Sequence, residues 1–271
     1  MNWKPIIPER DDDPWELAIR CRALYECPKD AAGKRLGPLV PYAGKDEQGR
    51  NLVGDVYFNF GWIEPYMLVV RFFARLIAEK IRDKVQASPE LLDATTIIGV
   101  PDGGRTLGGE IAAATGKRFV YPSKAPRAKS AGAIKDEFDF VFTRNELFQG
   151  ETVIVAEDVQ NNFNNTQETL AQVAKTGAVV VGFASALNRS PFVDDVFTPD
   201  RGPFAGQHFP VVTAIRRPLP EYRQDDPEVS ADIAAGRIEL KVKANWAKLM
   251  EIVAEARESL RASAHELPDF I

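Results

Sequence analysis

The sequence predicts an α/β fold, a mostly parallel central sheet flanked by helices, and two observations carry that prediction. Short apolar and β-branched runs alternate with helical patterns from Thr95 to Leu187, as expected of βα units in series. Glycine-rich or polar turns separate strand runs from helix starts, at Pro101 to Gly104 and again after Ala156. The 271 residues, 45% hydrophobic and 27% charged, are ordinary for a globular protein and enough to bury a sizeable core.

Taken in order, residues 1 to 13 read as a loose leader, polar and proline-broken, without the apolar run of a signal peptide. Pro14 opens a short helix running through Cys27, with Asp13 as its cap. Pro28 to Asn51 is rich in Gly, Pro and charge, and Lys45 to Arg50 reads as an exposed turn. Val56 to Phe60 reads as a strand. Glu64 to Val85 is the longest helical pattern, with Met67, Val70, Phe73, Ala74, Ile77 and Ile81 on one stripe. Strands follow at Thr95 to Val100, Arg118 to Tyr121, Phe138 to Phe142, Thr152 to Ala156 and Gly177 to Leu187. Helices fall at Leu107 to Thr115 and after Asn165. Beyond Pro191 the chain turns loop-like, with an edge strand at Val211 to Ile215, a strand-like IELKVK, and a closing amphipathic helix from Asn245 to Ala262. No internal repeat or low-complexity segment stands out.

Composition narrows the function classes. A net charge of -5 argues against a nucleic-acid-binding surface, and no helix-turn-helix pattern stands at either end. The two cysteines, Cys21 and Cys27, match no zinc spacing, and two histidines add too little for a nitrogen and sulfur cage. Reduced thiols point to the cytoplasm. No run approaches the roughly 18 apolar residues of a membrane span.

Three stretches are candidates for chemistry. In Glu151 to Thr176 a strand run is followed by Glu157 and Asp158, a polar loop and a helix start. Such a strand delivers two carboxylates to the carboxyl edge of a sheet, where open α/β sheets bind ligands. Carboxylates accept hydrogen bonds from sugar hydroxyls, and helix-start amides suit a phosphate. Taken alone, an acid pair of this kind is more often a pair of solvated residues. The turn Asp102, Gly103, Gly104, Arg105 lets amides approach an anion closely, and Arg105 offers a planar fork to pyrophosphate. It equally fits a tight βα turn, because it lacks the spacing of a P-loop or a dinucleotide fingerprint. Ser123 to Glu137 spreads Lys124, Arg127, Lys129 and Lys135 among small residues. That is either a solvated loop or a lid closing over a polyanion.

Residues 95 to 190 resemble the type I phosphoribosyltransferases. VIVAEDVQNNFNNT is similar to their signature for phosphoribosyl pyrophosphate (PRPP), and GVPDGGRTLGGEIA to their pyrophosphate loop. Within that family the resemblance is strongest to orotate phosphoribosyltransferase. It rests on the Glu-Asp order of the acids and on Tyr121-Pro122-Ser123-Lys124 with Arg127 and Lys129, which looks like its lid motif. Gly37 to Gly44 and Val56 to Asn59 look like its base-covering pieces, and Leu187-Asn188-Arg189 like its late Asp-Arg motif. The departures are a phosphate loop, Gln160 to Thr166, that is longer and without glycine, and a lid without histidine.

The resemblance implies one phosphoribosyltransferase-like domain over 1–271, with a small N-terminal hood at about 28–62, a core at about 64–190 and an extension at 191–271. It implies transfer of 5-phosphoribosyl from PRPP to an orotate-like base with Mg²⁺, in a homodimer. PRPP would be held by Asp102, Gly103, Gly104, Arg105, Glu157, Asp158, Asn161, Asn162, Asn164, Asn165 and Thr166. Lys124, Arg127, Lys129 and Asp158 would be catalytic, and Lys45, Phe58 and Arg189 would bind the base. Glu157 and Asp158 would reach the metal through ribose hydroxyls or water. Arg216 and Arg217 fit either substrate or partner contact, or a plain exposed edge. Another acceptor base, or a PRPP-binding regulator without turnover, are the alternatives.

Overall fold

In the computed structural model, which describes residues 4–126, 138–143 and 145–265, the chain divides into two compact units. One comprises Met1–Leu17 with Ile63–Pro218, the other Ala18–Trp62 with Leu219–Ile271. In chain order the helices are α1 (Pro14–Arg20), α2 (Met67–Asp83), α3 (Glu90–Asp93), α4 (Gly103–Thr115), α5 (Asn164–Thr176), α6 (Ser230–Ala234) and α7 (Trp246–His265). The strands are β1 (Leu24–Glu26), β2 (Val40–Lys45), β3 (Asn51–Gly54), β4 (Val56–Phe58), β5 (Thr96–Gly99) and β6 (Arg118–Val120). They continue as β7 (Ser123–Pro126), β8 (Phe138–Val141), β9 (Thr152–Gln160), β10 (Val179–Asn188), β11 (Val196–Phe197) and β12 (Phe209–Arg216).

The α/β class read from the sequence is borne out in the first unit. Its sheet has six strands in the order β11-β12-β10-β9-β5-β6, parallel throughout except for β11. One face carries Val153, Val155 and Phe183, packed with Leu170 and Val173 of α5. On α4, Gly108 lies against Ala156, where an added Cβ would meet the alanine Cβ at 3.5 Å. Closer still, a Cβ on Gly104 would stand 2.5 Å from the Ala156 carbonyl oxygen. Gly104→Ala is therefore expected to lower unfolding free energy by about 1–3 kcal/mol through overpacking against immovable backbone, measurable by urea titration.

Polar residues finish the edges of the sheet. At the amino end of β9, Arg118 donates to both oxygens of Glu151 at 2.9 and 3.0 Å, and Thr96 also donates to that carboxylate. Burial pushes the Glu151 carboxyl up, but these hydrogen bonds outweigh it and hold it below the usual range. Carbonyls of β12 accept from lysines at the end of α2, Thr213 and Ala214 from Lys80 at 2.8 and 2.9 Å, and Val211 from Lys84, which follows the helix, at 3.1 Å. Burial lowers the pKa of Lys80.

Several elements differ from the sequence reading. α1 stops at Arg20 because Arg22 turns left-handed, with φ 54°, and Leu24–Glu26 then pairs with β4. Asp13 does cap that helix, accepting from the amides of Trp15 and Glu16 at 2.9 Å each. Met67, placed on the buried stripe of α2, is 40% exposed. Among the described residues β8 pairs with β7 alone, antiparallel, outside the main sheet. IELKVK forms no strand; Ile238 makes a single bridge to Leu39. The main sheet continues past residue 190, since β11 and β12 belong to it.

The second unit joins two distant chain segments. Asp46 closes the turn between β2 and β3, accepting from the amides of Gln48 and Arg50 at 3.0 and 2.8 Å, as the turn-forming KDEQGR suggests. Tyr25, Cys27, Val40 and Tyr42 pack with Trp246, Leu249 and Met250 of α7. Arg35 bridges the segments, its guanidinium bonding both Asp55 oxygens and, at 3.0 Å, Asp232. Lys29 pairs with Asp55 at 2.9 Å, and Arg237 pairs with Asp232.

Candidate functional site at the carboxyl edge of the sheet

The sequence places the acids after a strand, but they lie within one. β9 runs to Gln160 because β10 pairs with it over that whole length, Ser185 opposite Glu157 and Asn188 opposite Gln160. On its other side the ladder with β5 ends at Gly99 opposite Ala156, with a last bond from the Val100 amide to the Ala156 carbonyl at 2.8 Å. Strand β9 therefore overhangs β5, and the start of α4 fills the space above the overhang.

The two carboxylates part company there, because successive residues of a strand point to opposite faces. Asp158, half-buried, lies against Gly103 in the first turn of α4, where an added Cβ would land on its carboxylate. This explains glycine at that position: no side chain fits between helix start and acid. Glu157 is buried, 7% exposed, and its Oε2 accepts from the Thr166 hydroxyl at 2.6 Å on α5. That bond ties the acid to the phosphate-binding loop expected from the sequence. Thr166→Val is expected to lower unfolding free energy by about 1.5–3 kcal/mol, the range of a hydrogen bond to a charged group. Thr166→Ser should retain most of it in the same urea titration.

Between the acids and α5 the loop takes an unexpected form. Asparagine is the expected carrier of positive φ in a glycine-free loop, yet Phe163 adopts it, with φ 57° and ψ 19°, as the residue capping α5. The left-handed conformation costs about 1–2 kcal/mol for a side-chain-bearing residue, and burying a phenylalanine offsets it by about 1.5–3 kcal/mol. Phe163 is 1% exposed and stacks on Phe197 at 4.1 Å and 16°, with Phe183 edge-on at 6.3 Å. Asn161 and Asn162 are half-buried, and Asn162 lines a cleft of about 440 Å³ with Gln167, Phe192, Phe197 and Arg201. Asn164 and Asn165 open α5; their side chains lie outside the described residues.

The glycine turn presents Asp102 and Arg105 as exposed residues. The Pro101–Asp102 peptide bond is cis, and the Arg105 amide donates to the Asp102 carbonyl at 3.1 Å. The Arg105 guanidinium lies over the Tyr121 ring at 4.0 Å. Asp102, Arg105, Glu64, Thr106, Phe119 and Tyr121 line a cleft of about 410 Å³. In the stretch expected as a lid, Lys124 sits on β7 opposite Phe140, and its side chain lies outside the described residues, as do Arg127, Lys129 and Lys135.

Arg189 follows β10 directly. Its amide donates to the Gln160 carbonyl at 2.9 Å and the residue is 6% exposed, so a cation is buried next to the end of β9. Gln160, fully buried, accepts from Ser185 Oγ at 3.0 Å, and its Nε2 has no hydrogen-bond partner among the described residues. The other residues expected at the base, Lys45 and Phe58, belong to the second unit, Lys45 exposed on β2 and Phe58 buried on β4. Arg216 pairs with Asp194 and Arg217 lies over Trp15 at 4.0 Å, contacts within the first unit. Phe163 and Gln160 were not singled out by the sequence; the signal present for Phe163 was a lone aromatic among asparagines.

Over 116 residues, 43% of its length, the chain is 28% identical to an orotate phosphoribosyltransferase of a Nitratiruptor species. The chain is similar to orotate phosphoribosyltransferases. A second such relative, from Wolinella succinogenes, is 27% identical over 116 residues. The match spans about half the length of these curated relatives, 52% and 51%. Among solved structures, UMP synthase of Leishmania donovani aligns with a TM-score of 0.48 at 15% identity, over 76% of this chain and 37% of that one. No family model matches. The resemblance to type I phosphoribosyltransferases, with the orotate enzyme nearest, is thus borne out by sequence relatives bearing that name.

No helix among the described residues is long and apolar enough to cross a membrane. Among the described residues no cluster of three metal-ligating side chains occurs.

Proposed function

We propose that this protein transfers 5-phosphoribosyl from PRPP to a nitrogenous base, orotate or a close analogue, and releases pyrophosphate. The observation that carries the reading is the Asp158 carboxylate set against the first turn of α4, on a strand that overhangs its neighbour. A sugar diol needs an acceptor-only group, and a diphosphate needs helix-start amides; here the two lie side by side.

In the proposed reaction a base nitrogen attacks C1 of the ribose. The bond from C1 to the pyrophosphate oxygen breaks, and its electron pair leaves with pyrophosphate. Positive charge gathers on the sugar ring and negative charge on the leaving group. Asp158 holds the ribose hydroxyls and faces the growing positive charge. Amides of Gly103 and Gly104 and the lid cations Lys124, Arg127 and Lys129 stabilise the leaving group. Arg189 orients an acidic base. The loop and helix start carrying Asn161, Asn162, Asn164 and Asn165 would take the 5-phosphate.

The carboxylates fit a role beside Mg²⁺: one half-buried acid and one held by Thr166 suit an ion that keeps waters and takes substrate oxygens. Bound there, the ion would neutralise charge on the pyrophosphate. A homodimer and a cytoplasmic setting complete the proposal, the first by resemblance, the second from the cysteines.

The test is pyrophosphate release by purified protein with PRPP, Mg²⁺ and a panel of bases. Turnover with orotate supports the reading, and turnover only with another base moves the acceptor. The glycine-free loop Gln160 to Thr166 favours one second reading, a PRPP-binding regulator without turnover. Calorimetric PRPP binding without turnover on any base would select it.

A further inference from the structure

We infer that Phe197, on the short strand β11, is a positioning residue that holds the glycine-free loop Gln160 to Thr166 in its left-handed conformation. The inference deepens the PRPP reading and rests on it for its consequence, though not for its geometry. Phe163 is the left-handed residue of the loop, and nothing in its own side chain favours that conformation. What holds it is stacking. Its ring lies 4.1 Å from Phe197 at 16°, nearly parallel, while both rings meet Phe183 edge-on, at 6.3 and 5.5 Å.

Phe197 is itself fixed from behind. β11 pairs antiparallel with β12, Phe197 opposite Phe209, and the Phe209 ring packs edge-on against Phe183 at 5.5 Å. The stack is therefore anchored to two strands of the main sheet, β10 and β12. It also bounds the cleft lined by Asn162 of the loop and Gln167 of α5, with Val196, Phe197 and Arg201 on the other side. Chain beyond residue 190 thus supplies the support for a loop well before it in sequence, where a glycine pair would need none.

Phe197→Ala removes the stack, and Phe204→Ala serves as control, because Phe204 packs on Phe209 at 6.0 Å within the same aromatic cluster. Amide hydrogen exchange is read at residues 161–166 and at the turn 99–106. Phe197→Ala is expected to speed exchange in the loop about three- to tenfold, the equivalent of one aromatic pair, and to leave the turn unchanged. Phe204→Ala should leave the loop unchanged, and Phe197→Leu should restore part of the protection. With PRPP and base, Phe197→Ala should raise KM for PRPP more than it lowers kcat.

Equal acceleration at loop and turn, or an equal effect of Phe204→Ala, would overturn the inference and reduce Phe197 to general stability. Should Phe197→Ala not fold, the same comparison is made with Phe197→Leu. If the wild-type protein turns over no base, the PRPP reading fails, while the exchange comparison still decides whether Phe197 holds the loop.

Discussion

Asp158→Asn is expected to lower kcat for pyrophosphate release by about 100-fold or more, the scale of losing one preorganised charge at a reacting centre. The substitution keeps the shape of the side chain and removes its charge. Geometry makes the prediction sharp: Gly103 leaves no room for a side chain between α4 and this carboxylate, so the amide occupies the same place. Because Asp158 is only half-buried, its replacement should move the melting temperature little. A loss of rate together with a collapsed melting curve would point to a structural acid. A small change in rate with PRPP saturating would remove Asp158 from the reaction.

The largest effect on stability is expected at Arg35. Its side chain, 11% exposed, bonds Asp55 and Asp232, and each acid is itself only about a tenth exposed. Breaking a buried pair from one side costs about 3–5 kcal/mol. Arg35→Met should fall near the lower end, since Lys29 and Arg237 remain as partners. Burial pushes the Asp55 carboxyl up, but hydrogen bonds from Arg35 and Lys29 outweigh it and hold it below the usual range. A carboxyl depressed in the folded state contributes stability above its unfolded value, about 3.9, and loses it as pH falls through the folded value. Wild-type stability should therefore drop below about pH 4, and Arg35→Met should flatten that drop. Urea titrations of both proteins between neutral and acid pH check both statements.

How much of this was legible in the sequence differs from residue to residue. The strand at Thr152 to Ala156 announced itself through an unbroken apolar run, and the glycine turn through its composition. The continuation of β9 to Gln160 did not. Glutamate and aspartate are poor strand formers, and only the pairing with β10, far along the chain, keeps them extended. That pairing also decides which way each acid faces, so the contact of Asp158 with Gly103 and of Glu157 with Thr166 could not be read locally. The left-handed Phe163 was hidden for a related reason: its conformation is set by Phe197 and Phe183, not by its neighbours in sequence. Likewise a helix through Cys27 was a fair reading of local propensity, which the tertiary pairing of β1 with β4 overrode.

The second unit is assembled from chain on either side of residues 63–218, and this sets an order of events during synthesis. When residues 18–62 leave the ribosome, the partners of Val40, Tyr42 and Arg35, about 200 residues further along the chain, have yet to be made. The sheet unit, complete by Pro218, can close first. The amino-terminal hairpin must wait, its apolar face open to chaperones, until Tyr222, Asp232 and Trp246 have emerged.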